Sequence, residues 1–417
     1  MKSILLLTYY YPPCNGVPSF RIKSFAETWS KKGFKITVVS RHWNGKENSW
    51  EDYMASSYED TLEIKNENNI EIHRLPYKKA TISSSKIKFT KDLYKGNFNK
   101  EIDTHQFFDY VNNLVKLNSF DILLCSSPPL NILSLGYKLN KIHNIPWIAD
   151  LRDFENRQVL KTRSRVAFKY KLILLFKFHY IKKWLNSTLF YSCVSEGIIE
   201  LLSTKILHNN ILIYNGFDKS AIINARKFIE QSTNFEITVL GSIYPEQDIM
   251  TFLNGVQYFT STENIDDLRI NFIGIESIIE VSEQLTSHPL KDIIKTLPRI
   301  PHDEALRIGN QAQLLYYPGW KGYRGIYSAK IFEYLGLKKV ILIAPGDGDV
   351  IDKLVTITNS GNIANTSVEV GNIIRKYYNE WKINGNIEYN GENEIIEKYS
   401  RENQSIKLLN YIVKELK

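Results

Sequence analysis

A glycine-rich, basic loop leads into a predicted helix near residue 328, and this combination is typical of a phosphate site. The cations of the loop and of the first helical turn are Lys321, Arg324 and Lys330. The first N–H groups of a helix, here next to Ser328 and Ala329, have no partner within the helix and attract anions together with the helix dipole. The segment 319–336 therefore predicts that an anionic ligand binds at this helix start.

Glu333 follows Lys330 by about one helical turn and would lie on the same helix face. Its carboxylate could accept hydrogen bonds from the hydroxyl groups of a ribose. The alternative is that Lys330 and Glu333 form only a surface ion pair. The glycine loop in front of them favours a ligand.

A second group of candidate residues ends a predicted buried strand, the run 146–153, with two acids and an arginine: Asp150, Arg152 and Asp153. In open α/β sheets, ligands bind at the carboxyl ends of the strands. Acids at that edge act as general bases or orient hydroxyl groups, and Asp150 or Asp153 could hold Arg152 in place. A structural Asp–Arg pair that caps the next helix is the alternative. The position at a strand end favours a site.

Two glycines also stand at predicted strand ends. Gly16 lies in a Pro/Gly loop after the first strand, and Arg21 in the following helical turn could point to an anionic group. An ordinary strand–helix connection explains this loop equally well, and it has neither the dinucleotide fingerprint nor a P-loop. Gly241, followed by Ser242, ends a later strand where the backbone must turn sharply or approach something closely.

The segment 157–184 is basic and aromatic, and no acid occurs from Asn156 to Ser195. It holds nine basic residues, more than the net charge of +8 of the whole chain. A basic helix with large apolar side chains is typical of a surface that docks on anionic lipid headgroups. A core helix with a basic polar face is the alternative. Nucleic acid is not indicated, because no nucleic-acid-binding motif accompanies the charge.

Composition excludes other classes of protein. The 417 residues are 43% apolar and 24% charged, as in a globular protein of two or three domains. Three distant cysteines exclude a disulfide framework and a zinc motif, and eight scattered histidines show no metal spacing. We therefore expect no metal and no cofactor. The absence of a signal peptide and of a long apolar run favours a cytoplasmic protein.

Apolar runs alternate with helix-length segments, which predicts an α/β protein with two doubly wound parallel sheets. The boundary falls at the turn residues 215–218, which gives domains 1–216 and 217–396 and a terminal helix within 397–417. The polar segment 46–69 is predicted to be a loop. The predicted strands are 4–8, 35–40, 70–74, 121–126, 146–150, 189–194 and 211–214 in the first domain, and 236–240, 269–273, 313–317, 340–343 and 362–364 in the second.

Taken in order, nine segments of the chain resemble the GT-B glycosyltransferases, specifically bacterial members of glycosyltransferase family 4. They span nearly the whole chain and are 5–13 with Gly16 and Arg21, 126–129, 145–153, 194–196, 215–218, 241–244, 301–306, 330–335 and 399–402. The resemblance implies two Rossmann-like domains with a cleft between them. It also implies a nucleotide-sugar donor on the second domain, an acceptor on the first, and a terminal helix that crosses back to the first.

Carried over by position, the resemblance assigns Glu333 to the nucleotide ribose, Gly16 to the donor phosphates, and Ser328, Ala329 and Lys330 to the pyrophosphate. Two positions depart from the family pattern. Gly325 stands where the family usually has the first glutamate of a Glu-x7-Glu motif. The family also tends to carry an arginine and a lysine shortly after the glycine that matches Gly241, whereas Ser242 follows that glycine in this chain. The phosphates would then be neutralised by Lys321, Arg324 or Lys330.

The resemblance predicts a metal-independent, retaining enzyme that transfers a sugar from a UDP- or GDP-sugar to a hydroxyl of a glycan or lipid-linked acceptor in surface polysaccharide synthesis. Asp153 and Asp150 are the candidates for handling the acceptor hydroxyl, with Arg152 ordering them. The basic segment 157–184 would bring the enzyme to the inner face of the cytoplasmic membrane. The alternatives are a nucleotide-sugar epimerase or hydrolase on the same fold, and a scaffold that has lost the chemistry.

Overall fold

The computed structural model describes residues 2–43, 61–77, 96, 104–153, 168–227, 232–262, 265–275 and 279–416, without the side chains of 104 and 168–172. Contacts divide the chain into two units. Unit 1 contains the residues through Asn215 and those from Gln404 onward, and unit 2 is Gly216–Asn403. Residues 157–167 of the predicted membrane-facing segment lie outside the described residues.

Unit 1 is built on a sheet in which neighbouring strands are parallel except at one edge. The strand order is β3-β4-β2-β1-β5-β6-β7-β8, and only the edge strand β3 runs antiparallel to its neighbour. The strands are β1 (Ser3–Thr8), β2 (Lys35–Arg41), β3 (Glu63–Glu67), β4 (Ile70–Leu75), β5 (Ile122–Ser127), β6 (Trp147–Leu151), β7 (Tyr191–Cys193) and β8 (Asn210–Leu212).

The central strand of unit 1 shows why this sequence forms a covered sheet. β1 reads Ser-Ile-Leu-Leu-Leu-Thr, and five of its six residues are buried. A strand that is apolar on both faces needs helices on both sides, which is the arrangement of parallel α/β sheets. The helices of this unit are α1 (Val17–Lys31), α2 (Thr104–Leu117), α3 (Asn131–His143), α4 (Phe168–Leu185) and α5 (Glu196–Ser203).

The end of the chain packs into unit 1. The last helix, α14 (Arg401–Glu415), begins in unit 2 and continues into unit 1, where Leu408 and Ile412 belong to the core below β1. The indole N–H of Trp29 donates to the carbonyl of Ser405 at 2.9 Å. Residues 397–403 of the predicted terminal segment belong to unit 2.

Unit 2 has a wholly parallel sheet in the order β11-β10-β9-β12-β13-β14. Its strands are β9 (Phe235–Leu240), β10 (Leu268–Ile273), β11 (Ile294–Leu297), β12 (Leu314–Tyr317), β13 (Val340–Ile343) and β14 (Gly361–Ile363). Its helices are α6 (Lys219–Lys227), α7 (Met250–Thr262), α8 (Ile279–Ser287), α9 (His302–Gln311), α10 (Ala329–Leu337), α11 (Val350–Ile357), α12 (Ser367–Asn384) and α13 (Asn393–Glu397).

The prediction of an α/β protein with two parallel sheets is confirmed, and two strands were missed. β3 lies in the segment predicted to be a loop, and four of its five residues are exposed, so its polar sequence carries no burial signal. β11 is a short edge strand whose four residues are all at least partly exposed. Residues 46–60 of the predicted loop lie outside the described residues.

Candidate functional site

The candidate site of unit 2 is built where strand β9 ends. Gly241 has φ of +75°, a conformation that side chains other than glycine rarely adopt. Its N–H donates to the carbonyl of Ile273, at the end of the neighbouring strand, at 2.8 Å. The backbone therefore turns sharply at this edge and presents the carbonyl groups of Gly241 and Ser242.

Lys330 reaches this turn from helix α10. Its Nζ donates to the carbonyl oxygen of Ser242 at 2.7 Å. Burial lowers the pKa of Lys330 to about 7, although the charge of Glu333 opposes the shift. The ammonium group is thus held at the strand end in a place where its charge costs free energy, and an anion placed beside it would offset that cost.

Glu333 lies at the centre of a partly buried charge cluster. Nε2 of His302 is 2.8 Å from Glu333 Oε1, and a guanidinium nitrogen of Arg401 is 3.6 Å from the same oxygen. Burial alone would raise the pKa of Glu333, but the hydrogen bond from His302 and the charges of His302, Arg401 and Lys330 outweigh it and lower the pKa. The carboxylate is therefore ionised and fixed in one orientation.

Tyr334 fixes helix α10 against the strand ends. Its hydroxyl accepts the backbone N–H of Leu240 at 2.8 Å and donates to the carbonyl of Tyr316 at 3.2 Å. Ser328 precedes the helix in extended backbone, and its hydroxyl donates to the hydroxyl of Tyr317 at 3.0 Å. The start of α10, at Ala329, is thereby held beside the ends of β9 and β12.

The glycine loop before α10 does not bring all of its cations to this cluster. Lys321 and Arg324 are exposed, and neither forms an ion pair with a described residue. Gly325 has φ of +62°, and its N–H donates to a carboxylate oxygen of Asp349 at 2.8 Å. A glutamate would be strained in this backbone conformation, which gives a physical reason for the departure from the family pattern.

In unit 1, the predicted Asp–Arg pair exists with a different arginine. Asp150 is fully buried, and Arg21 donates to both of its carboxylate oxygens, at 3.1 and 2.8 Å. The hydroxyls of Ser126 and Ser192 donate to the same oxygens at 2.8 and 2.7 Å. Burial raises the pKa of Asp150, but the charge and hydrogen bonds of Arg21, helped by the two serines, outweigh it and lower the pKa.

This geometry changes the interpretation of three residues of unit 1. The carboxylate of Asp150 is occupied by structural donors, which favours a structural role over the handling of an acceptor hydroxyl. Arg21 is committed to Asp150 and to the carbonyl of Tyr214, at 2.8 Å, and not to an external anion. Gly16 precedes α1 in extended backbone with φ of −152°, so its conformation does not itself require glycine.

Arg152 and Asp153 remain as candidates beyond the end of β6. Nε of Arg152 is buried and makes no hydrogen bond with a described residue. Burial lowers the pKa of Arg152, and the neighbouring charge of Asp153 opposes the shift. Asp153 itself is exposed. The two side chains follow the buried Asp150 but, unlike it, are positioned where a polar ligand could reach them.

The described part of the basic aromatic segment is helix α4. Ile181, Trp184 and Leu185 are buried, whereas Leu175 is 61% exposed and Phe176 is 41% exposed. Lys182 and Lys183 are also exposed. One side of the helix packs against unit 1, and another presents apolar and basic side chains to the surroundings. Within the described residues, no helix combines the length and apolar composition needed to cross a bilayer.

Sequence reasoning missed two members of the unit 2 cluster. His302 and Arg401 lie in the segments 301–306 and 399–402, which carry the family resemblance, but the sequence assigned neither of them to the site. Each lies far along the chain from Glu333, so only the packing of α9 and of the start of α14 beside α10 brings the three together. The pattern of charged residues offered no signal for these pairs.

The fold defined by these two sheets is that of the GT-B glycosyltransferases, as predicted. Solved structures similar to this chain include sucrose-phosphate synthase from Thermosynechococcus elongatus, with a TM-score of 0.66 and 11% identity over 99% of both chains. They also include the Anabaena protein HepE in complex with UDP-glucose, with a TM-score of 0.62 and 13% identity over 99% of this chain and 100% of that chain.

A third similar structure is WaaG, described as a glycosyltransferase involved in lipopolysaccharide biosynthesis. It has a TM-score of 0.55 and 12% identity over 97% of this chain and 94% of that chain. No family model matches the sequence, and no curated protein matches it. At these identities the likeness establishes the fold alone, and the assignment to family 4 stays a prediction.

Proposed function

We propose that this protein is a glycosyltransferase that takes a sugar from a UDP- or GDP-sugar and transfers it to a hydroxyl of a glycan or lipid-linked acceptor in surface polysaccharide synthesis. The observation that carries the proposal is the charge cluster at the carboxyl edge of the unit 2 sheet. There an ionised, oriented Glu333 lies one helical turn from Lys330, which contacts the strand end at Ser242.

Each part of this cluster suits one part of a nucleotide-sugar. The carboxylate of Glu333 can accept hydrogen bonds from both ribose hydroxyls. The ammonium of Lys330 and the first N–H groups of α10, after Ser328 and Ala329, can stabilise the diphosphate as it leaves with negative charge. Lys321 and Arg324 add charge from the exposed loop. No step of this scheme uses a metal ion or a cofactor.

For the acceptor, Asp153 would accept the hydroxyl proton or orient the hydroxyl, with Arg152 next to it in the chain; the exposure of Asp153 after the end of β6 supports this role. Asp150 would have a structural role as the buried partner of Arg21. We further propose that the reaction retains the anomeric configuration, as the family resemblance implies. A product analysis by NMR of the anomeric proton tests this point.

The first experiment measures binding of UDP, GDP, CDP, ADP and dTDP by calorimetry, with magnesium and with EDTA. We expect one diphosphate to bind independently of magnesium and to bind at least about tenfold more weakly to Glu333→Ala, which loses hydrogen bonds to a charged group. Glu304→Ala is a matched control, because Glu304 is an exposed acid on the neighbouring helix α9. Binding that survives in Glu333→Ala would contradict the ribose assignment.

Turnover separates the proposal from its rivals. A transferase consumes the matching nucleotide-sugar at a rate that depends on an added acceptor. Breakdown of the donor at the full rate without an acceptor would instead indicate a hydrolase, and interconversion of the sugar an epimerase. Nucleotide binding without turnover on any acceptor would indicate a scaffold.

We also propose that the enzyme works at the cytoplasmic face of a membrane, through the exposed side of α4. Leu175 and Phe176 supply apolar contact there, and Lys182 and Lys183 supply charge. The double variant Leu175→Glu/Phe176→Glu should lose binding to vesicles that contain phosphatidylglycerol. Leu117→Glu, at an apolar side chain that is 83% exposed on α2, should retain it. Equal binding of the two variants would refute this docking surface.

A further inference from the structure

A cavity of about 630 Å³ lies in unit 2 away from the candidate site. Gln313, just before β12, and Lys339 and Val340, at the start of β13, line it. These are the amino ends of the strands, whereas Gly241 and Ser242 follow the carboxyl end of β9. In a parallel sheet all amino ends of the strands lie on one side and all carboxyl ends on the opposite side, so the cavity is separate from the proposed donor site.

The lining of the cavity is strongly basic. Arg226, Lys338, Lys339 and Lys382 line it, and among the described residues no aspartate or glutamate does. Lys382 is paired with Asp267 at 2.8 Å. In the part of the chain that the structure describes, no carboxylate lies within 4.0 Å of the charged groups of the other three. Burial, and then the charge of Arg226, lower the pKa of Lys339.

These cations stand in or just after the last turns of their helices, where they complement the helix dipoles. The dipoles account for their presence at the helix ends. They do not account for three cations that surround an open volume with no counter-ion among the described residues, and an anion in the cavity would balance them.

The rest of the wall is aromatic and polar. Trp381 and Tyr389 provide aromatic surface, and Asn310, Gln311 and Gln313 provide amides. The hydroxyl oxygen of Tyr389 is buried and makes no hydrogen bond with a described residue. Burial raises the pKa of Tyr389, so the hydroxyl stays protonated and can donate. Because this oxygen is closed to atoms the size of water, Tyr389 contributes its ring, and not its hydroxyl, to the cavity wall.

We propose that this cavity binds a phosphorylated monosaccharide. Arg226, Lys338 and Lys339 hold the phosphate through charge-assisted hydrogen bonds, the face of Trp381 packs against the sugar ring, and the amides bond to sugar hydroxyls. The volume lies within the range of small-molecule sites.

The position of the cavity connects it to the donor-site helices. α9 begins with His302 and ends at Gln311, and α10 carries Lys330 and Glu333 and ends at Leu337. Gln311 and Leu337 both line the cavity. A bound sugar phosphate therefore contacts the far ends of the two helices that hold the His302–Glu333 pair.

Calorimetry and ligand-observed NMR with glucose 6-phosphate test the proposal, with glucose and inorganic phosphate as references. We expect glucose 6-phosphate to bind, glucose not to bind, and phosphate to bind more weakly. No binding of glucose 6-phosphate at millimolar concentration overturns the proposal. Equal affinities for glucose 6-phosphate and phosphate overturn the sugar-binding role of Trp381 and the amides.

Three variants locate the site. Lys339→Met should weaken binding of glucose 6-phosphate at least about tenfold, because it removes a charge-assisted hydrogen bond. Lys376→Met, at an exposed lysine of α12 outside the cavity, should bind normally. Binding that is lost in Lys330→Met and unchanged in Lys339→Met would place the ligand in the donor site and refute the proposal.

Discussion

The position of Lys330 predicts a pH dependence of nucleotide binding that few other side chains could produce. Its pKa of about 7 in the unliganded protein means that about half of the molecules carry the ammonium at pH 7 and about one in a hundred at pH 9. A nucleoside diphosphate binds more tightly to the molecules in which Lys330 carries its positive charge. Its affinity should therefore fall by up to about fiftyfold between pH 7 and pH 9.

The perturbation that isolates this effect is Lys330→Arg. A guanidinium stays charged throughout this range, so the affinity of the variant should change little with pH. His302 and Glu333 are present in both proteins, and their own titration cancels in the comparison. The diphosphate adds nothing to the difference, because phosphate groups titrate near pH 6, below the range measured.

The assay is calorimetric titration at pH 7, 8 and 9 in two buffers with different enthalpies of ionisation. At pH 8 to 9, the wild type should take up about one proton for each diphosphate bound, and Lys330→Arg should take up almost none. Lys330→Met should bind weakly at every pH, while the free variant melts at a higher temperature because a buried ammonium has been removed. Identical pH profiles of the wild type and Lys330→Arg would refute the reasoning.

Three further predictions concern other charged residues of the two units. Glu333 raises the pKa of His302, although burial of the imidazole opposes the shift. The stabilisation from this pair is therefore present below about pH 6.5 and is lost as the pH rises through the pKa of His302 in the folded protein. His302→Gln should lower the melting temperature at pH 6 more than at pH 9. Asp150→Asn leaves Arg21 buried with a weakened partner and should destabilise unit 1 by up to about 3–5 kcal/mol. The double variant Arg21→Met/Asp150→Leu should recover part of this free energy of unfolding, as measured by urea denaturation. Asp153→Ala should retain nucleotide affinity and reduce transfer to an acceptor at least about tenfold, and unchanged transfer would remove Asp153 from the site.

The sequence by itself determined the fold class, because a buried parallel strand leaves a local signal. β1, β5, β6 and β9 are short apolar runs bounded by turn residues, and each is found within one or two residues of its predicted position. The edge strands β3 and β11 were missed for the same reason, since an exposed edge strand buries too little to impose an apolar pattern.

The sequence also determined which helix carries the candidate donor residues. Lys330 and Glu333 are one turn apart, and the glycines before them mark the helix start, so their relation is fixed by local geometry. The side chains that hold them are not local. His302 and Arg401 approach Glu333, and the carbonyl of Ser242 meets Lys330, only because distant segments pack at one edge of the unit 2 sheet.

The tertiary structure alone decided which arginine pairs with Asp150. Arg152 is two residues away, but β6 ends at Leu151, so Arg152 lies beyond the strand and the regular alternation of side chains no longer fixes its direction. Arg21, on α1, reaches Asp150 instead because α1 packs beside strands β1 and β4. A buried carboxylate is stabilised by whichever donors enclose it, and that enclosure depends on packing between elements that no local pattern specifies.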